Sequence, residues 1–415
     1  MDKNAIFLQL CRMVQDFAEP MDAAQAVDAI HFYKKIEKDE AQKLHRERLK
    51  SCTGMTALTI EIYGHDADDS LRSQIIAGFE NYLGGAENDA IFPIHLVKKE
   101  LDVLGDMMED STYGVHCQRI EAVKRQIPKS ETIIGAIVIL PDTRDEAGDP
   151  KHALRAGFAD TNRLTQFITP VGDENRVKGA VMDMLRQFGY SEFVEKQNMQ
   201  KNPAFDANAI GIHVMHQLKP LWAKSAKDTA RFLPVYITYQ VRSGKMMVDC
   251  DIFERRHLSY SEALLEFSRL SRDETFTKRC TNAVRSGLRT KLLGLQSLYR
   301  EKAALILIQA NGVTRQLWHG ITDKKISEYR MKEDYIPEKI DIGTKAYPDL
   351  KDFGSTAVRI MRIRENQSTH EVPDYYTEKK ETGENISSSG IYQHKNVFWA
   401  LESRPNNKEY KSSYL

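Results

Sequence analysis

The chain has few cysteines, no net charge and no long apolar run. Its five cysteines, Cys11, Cys52, Cys117, Cys250 and Cys280, are an odd number without C-x-x-C spacing. That argues against a disulfide framework or a structural zinc site and fits a reducing cytoplasm. No segment approaches the apolar length of a membrane span, and the opening MDKNAIFLQLCRMVQDF is too charged, with too short an apolar run, for a secretory signal. A cytoplasmic protein with no membrane partner is expected. Lys plus Arg and Asp plus Glu each total 59, so any surface for nucleic acid must come from local segregation of charge. There is no internal repeat.

What is present is globular: 415 residues, 41% hydrophobic and 28% charged, enough for two or three cores. Residues 1–52 read as a helical extension, with Phe7, Leu8, Leu10, Met13, Val14 and Phe17 forming an apolar stripe. From Thr56, LTIEIY, AIFPIHLV and TIIGAIVIL alternate with helical stretches, the pattern of a parallel, doubly wound sheet. This domain is expected over 53–190, ending at a helix through RVKGAVMDMLRQFGY. A second α/β domain is expected over 191–415, with RFLPVYITYQV and KMMVDCDIFE as an antiparallel pair turning at Ser243-Gly244. Helices at 259–271 and 276–299 and the strands AALILIQ, TAVRIMRIR and NVFWALES follow, an order compatible with an RNase H-like sheet.

Three groups of residues can carry chemistry. GFADTNRLTQFITP (157–170) reads as a loop between two helix ends at the carboxyl edge of the first sheet. It would gather Arg155, Arg163, Thr165, Gln166, Arg186 and Gln187 where anions usually bind; the plain alternative is solvated surface charge. The stretch 275–300 has no acidic residue, and at helical spacing Lys278, Arg285 and Arg289 share one face opposite Val284, Leu288, Leu292, Leu295 and Tyr299. Such a single-sign ridge suits duplex phosphates, although most charged faces are merely solvated. Arg362 and Arg364 share a strand face, with Glu365 and Glu371 just beyond.

In order along the chain, DPKHALRAGFADTNRLTQFITP, MLRQFGY, NGVTRQLW and IYQHKNVFWALESRP resemble the pPIWI_RE family of prokaryotic Argonaute-like proteins, over residues 55–410. The resemblance implies a Rossmann-like MID domain followed by an RNase H-like PIWI domain. In such MID domains the equivalent loop and helix bind a guide's terminal phosphate, and Thr165-Gln166 matches the T-Q pair that takes part. Arg163, Arg186 and Gln187 match by motif position, with Arg and Gln where lysines are usual. The family's characteristic Arg falls on Arg315 or Arg364 and its Glu on Glu371 or Glu402. Arg315, Arg362 and Arg364 join the ridge as candidate duplex contacts.

RNase H-type cleavage needs an Asp in the middle of the first strand and further carboxylates beside it to hold two metals. RFLPVYITYQV, taken as that strand, has none, with Tyr239 or Gln240 in the expected place, and Asn311 stands before Gly312-Val313 where the resemblance puts another Asp. The expected function is therefore an inactive subunit that binds guide and target in defence against plasmids or phage. Helicase and nuclease partner proteins, and a separate subunit carrying the family's N-terminal modules, are implied by the resemblance. No cofactor is expected; Mg²⁺ at the nucleic-acid end is the one ion left open. The competing readings are an active metal-dependent nuclease using Asp249 and Asp251, and a purely structural subunit of a defence complex.

Overall fold

The computed structural model describes residues 25–26, 37–85, 92–101, 113–140, 150–170, 174–191, 208–217, 231–240, 243–250, 252–270, 304–309, 358–363, 390–394 and 397–401. They fall into two units, Ile36–Arg364 and a second that joins Met1–Lys35 to Glu365–Leu415. Within the stretch expected to be helical, β1 (Gln25–Ala26) is a strand of the second unit. The helix α1 (Lys38–Thr53) belongs to the first. Asp39 and Glu40 in its first turn and Lys50 in its last complement the helix dipole. Gly54, at φ 68°, closes it by donating to the Lys50 carbonyl.

The first sheet is built by β2 (Leu58–Tyr63), β3 (Ile94–Lys99), β4 (Ile134–Ile139) and β5 (Arg163–Ile168). Its helices are α2 (Asp69–Leu83), α3 (Tyr113–Gln126), α4 (Lys151–Asp160) and α5 (Glu174–Gln187). All four strands are parallel in the order β3-β2-β4-β5. The apolar run IGAIVI is buried at every position because helices cover both faces of β4. On one face Ile60, Ile62, Ile137, Leu164 and Ile168 meet Leu49 of α1, Phe79 of α2 and Val181 and Leu185 of α5. On the other, Ala136 and Val138 meet Val123 of α3 and Leu154 and Phe158 of α4. Gly135 is required where α5 presses closest: a Cβ there would lie 2.8 Å from Met184 Sδ and 3.0 Å from Phe188 Cε2.

The expected loop at 157–170 is instead the end of α4, a two-residue turn and β5. A strand alternates its side chains, so neighbours in RLTQFI point to opposite faces. The turn is closed by Asn162 in the left-handed region, φ 63°.

The second sheet contains β6 (Asn208–Gln217), β7 (Arg231–Gln240), β8 (Met246–Asp249), β9 (Leu258–Ser259), β10 (Ala304–Gln309) and β11 (Val358–Ile363), with α6 (Tyr260–Leu270) after β9. The order is β11-β10-β6-β7-β8-β9. The first three are mutually parallel, and β7, β8 and β9 continue antiparallel. The expected hairpin forms between β7 and β8, with Gly244 at φ 73° in its turn. RFLPVYITYQV, however, is not the first strand. Asn208–Gln217 precedes it, pairs with it over ten positions and occupies the sheet's centre beside β10.

The helix α6 opens with a capping box: the Ser259 hydroxyl accepts from the Glu262 N–H, and Glu262 accepts from the Ser259 N–H at 2.8 Å. It packs on the second sheet through Ala263 and Phe267, against Val235, Val248 and Phe253. In the second unit, β1, β12 (Gly390–His394) and β13 (Val397–Leu401) form an antiparallel sheet in the order β1-β12-β13.

Candidate nucleic-acid interface

The side chains expected in one anion pocket are divided by β5. Arg163 begins the strand and so lies at the amino edge of the parallel sheet, opposite the carboxyl edge where the pocket was expected. It is buried, its Nε 2.6 Å from Glu61 Oε2, and Nη1 donates at 2.9 Å to both the Pro128 and Thr161 carbonyls. Thr165 shares that face; its hydroxyl is buried without a hydrogen-bond partner among the described residues. Gln166 is on the other face, half-buried.

Two of the predicted side chains do come together, those of Gln166 and Gln187. Gln187, the last residue of α5, donates through Nε2 to the Thr165 carbonyl at 3.1 Å and to Gln166 Oε1 at 3.3 Å. Among the described strands β5 is the edge of its sheet, so none of them pairs with that carbonyl, and the Gln187 amide takes the place of a partner. Arg155 on α4 is exposed and sits with its guanidinium 5.5 Å above the Phe167 ring. Arg186 is exposed and bonds Asp183 on its own helix at 3.0 Å. The polar surface that survives from the expected pocket is thus the strand edge at Gln166 and Gln187, with Arg155 over Phe167 on the opposite face of β5. A separate cleft of about 500 Å³ opens between α2 and α5, lined by Gln74, Tyr82, Asn175, Lys178 and Met182.

In the second sheet, His213 stands in the middle of the central strand, exposed, on the face it shares with Gly211 and Met215. Among the described residues, Asp249 is the one carboxylate on the six strands. It is buried and committed to the loop after β8: Oδ1 accepts the His257 N–H at 2.8 Å and Oδ2 lies 3.1 Å from His257 Nδ1. These bonds hold His257 at φ 57°. Arg362 is half-buried on β11, opposite Ile308. Asp251, Lys278, Arg285, Arg289, Asn311, Arg315, Arg364, Glu371 and Glu402 lie outside the described residues.

Sequence reasoning missed Glu61, since nothing local to LTIEIY announces a partner in β5, and it missed β6. For β6 a signal existed: Ile210, Ile212 and Val214 alternate with Gly211, His213 and Met215.

The family model for the MID domain of pPIWI_RE matches residues 108–195, and that for the RNaseH domain of pPIWI_RE matches residues 209–415. The chain belongs to the pPIWI_RE family. The parallel sheet carrying β5 is its MID domain and the mixed sheet its RNase H-like domain, although the MID sheet starts at Leu58, ahead of the matched segment. No curated protein matches it. Among solved structures it is similar to the Clostridium butyricum Argonaute bound to a guide DNA and a 19-mer target DNA. That likeness has 12% identity and a TM-score of 0.30, covering 77% of this chain and 37% of that one. It is also similar to the Argonaute protein of Methanocaldococcus jannaschii, at 14% identity and a TM-score of 0.32, covering 63% and 32%. The pPIWI_RE chain thus spans about a third of the length of these Argonautes.

Proposed function

We propose that this pPIWI_RE protein holds a guide strand and its target without cutting them, gripping a strand end at the β5 edge and the duplex along the basic residues of its RNase H-like domain. The observation that carries the non-cutting part is the chemistry of the central sheet. Two divalent metals need several carboxylates converging on one cavity. NAIGIHVMHQ and ALILIQ contain none, and the Asp249 carboxylate is tied to His257. An Asn at 311 adds one neutral oxygen and no charge. The nucleic-acid role is supported by membership of a family with paired MID and RNase H-like domains. Family membership alone supports the setting, prokaryotic defence in company with a helicase and a separate nuclease.

The test is to purify the protein from cells, sequence whatever nucleic acid stays bound and analyse its ends, then incubate the protein with guide–target duplex in Mg²⁺ or Mn²⁺. Short strands with defined ends and no cleavage are expected. Recovery of no nucleic acid favours a structural subunit. Cleavage lost on Asp249→Ala or Asp251→Ala favours the nuclease.

A further inference from the structure

The helix α6 follows β9 of the RNase H-like domain, yet its side chains serve both cores. Ala263 and Phe267 pack among Val235, Val248 and Phe253, whereas Leu265 is buried in the MID core with Leu264 packed against it. Its two ends touch the two elements that carry the Gln166–Gln187 pair. At the start of α6, the Tyr260 Cβ lies 3.5 Å from where a Cβ on Gly189 would stand, in the turn that ends α5. At the far end, the Arg269 guanidinium reaches the turn between α4 and β5.

That second contact is dense. Arg269 Nε and Nη2 donate to the Ala159 carbonyl at 3.1 and 2.7 Å, Nη2 also donates to Asn162 Oδ1 at 2.6 Å, and Nη1 bonds Glu266 Oε1 at 2.6 Å. The carbonyl belongs to the last turn of α4, where a cation is favoured by the helix dipole. Asn162 passes the constraint on: its Nδ2 donates to the Ser130 carbonyl at 2.6 Å, and its own carbonyl accepts from Ile134, the first residue of β4. Arg163, next in the chain, is held by Glu61 and by the Thr161 and Pro128 carbonyls. The place where β5 leaves the turn is therefore fixed from the RNase H-like side by one guanidinium. Three residues further along β5 is Gln166.

We propose that Arg269 is a positioning residue through which the RNase H-like domain sets the β5 edge, and with it the Gln166–Gln187 pair, for gripping a strand end. The proposal rests on the reading of that edge as the end-binding surface. A planar, forked cation suits this role, because it holds a backbone carbonyl and a side-chain oxygen together, which a lysine's single ammonium does less rigidly. Arg269 touches no nucleic acid in this scheme; it acts through Asn162.

The experiment uses the full chain and two readouts. In protein free of nucleic acid, Arg269→Ala raises the hydrogen-exchange rates of β5 and of the last turn of α4 about ten-fold, while β6 and β7 keep theirs. Arg269→Lys gives an intermediate increase and covers the case in which the alanine variant folds poorly. In binding, Arg269→Ala weakens capture of a single strand with a free end about ten-fold and leaves the salt dependence of duplex binding unchanged. Its effect is non-additive with that of Gln166→Ala, as expected if both act on one grip. Unchanged exchange at β5 in both variants overturns the proposal, as does a binding loss additive with Gln166→Ala. If the wild type captures no strand ends, the end-binding reading of the β5 edge fails. The exchange arm still decides whether Arg269 sets the strand.

Discussion

Arg163 Nε lies 2.6 Å from Glu61 Oε2, and the two residues are 102 positions apart in the chain. Tyr63 donates its hydroxyl to the same carboxylate oxygen at 2.6 Å. A guanidinium expected to face a nucleic-acid end is therefore part of the packing between β2 and β5.

The first prediction concerns that pair. Arg163→Ala strands a buried carboxylate and should destabilise the protein by about 3–5 kcal/mol in equilibrium unfolding, whereas replacing both partners by neutral residues of similar size should cost much less. Burial pushes the Glu61 carboxyl up, but hydrogen bonds from Arg163 and Tyr63 and the charges of Arg163 and Lys99 outweigh it and hold the group below 4.5. Its stabilisation is then present above the ordinary carboxylate range and lost as the pH falls through the lowered value. Equal losses in the single and double variants would contradict this.

His116 on α3 provides a second acid-sensitive group. Burial, then the nearby positive groups His152 and Arg119, lower its pKa to about 4 from 6.5. An unfolded chain binds this proton first, so stability should be full above pH 6.5 and decline as the pH falls toward 4. The imidazole resonances should titrate near pH 4 in the folded protein. His116→Leu should flatten the stability profile across that window; a profile unaltered by the substitution would count against the assignment.

At the β5 edge, Gln187→Ala removes both the amide that satisfies the Thr165 carbonyl and the hydrogen bond to Gln166. It should weaken capture of a strand with a free end more than Gln166→Ala does, because the strand edge loses its brace as well as a donor. Fluorescence anisotropy with end-labelled and circular single strands measures this. Equal affinities for the two substrates in the wild type would remove the edge from consideration.

For the ridge, Lys278→Ala, Arg285→Ala and Arg289→Ala together should flatten the slope of log affinity against log salt by about 0.9 for each phosphate no longer neutralised on B-DNA, and somewhat less on other geometries. An unaltered slope in a folded variant would leave these cations as solvated surface.

The sequence was most informative where burial is periodic and local. IGAIVI is apolar throughout because helices cover both faces of β4, and the Ser243-Gly244 turn follows from a backbone that needs φ above zero. RLTQFI misled for the opposite reason. Its polar residues are made tolerable by partners far along the chain, Glu61 for Arg163 and Gln187 for the strand edge, so its local composition reads as a loop. The same non-locality hid the site's arrangement. Thr165-Gln166 is contiguous as a motif, yet the pleat sends its two side chains to opposite sides of the sheet. For β6, the non-polar Ala209, Gly211 and Met215 on the open face of NAIGIHVMHQ blunted the alternation of Ile210, Ile212 and Val214.

The sharing of α6 has a bearing on inheritance. The two domains are recognisable as separate motifs, but a recombination event or gene split between residues 195 and 209 would leave the MID half without Leu265 and the other half with an apolar helix face exposed. Each product would carry a hydrophobic patch of the sort that promotes aggregation. The smallest piece that could be exchanged intact is therefore larger than either domain: the MID sheet, α6 and the whole mixed sheet, because β6 at that sheet's centre pairs with β10 as well as with β7.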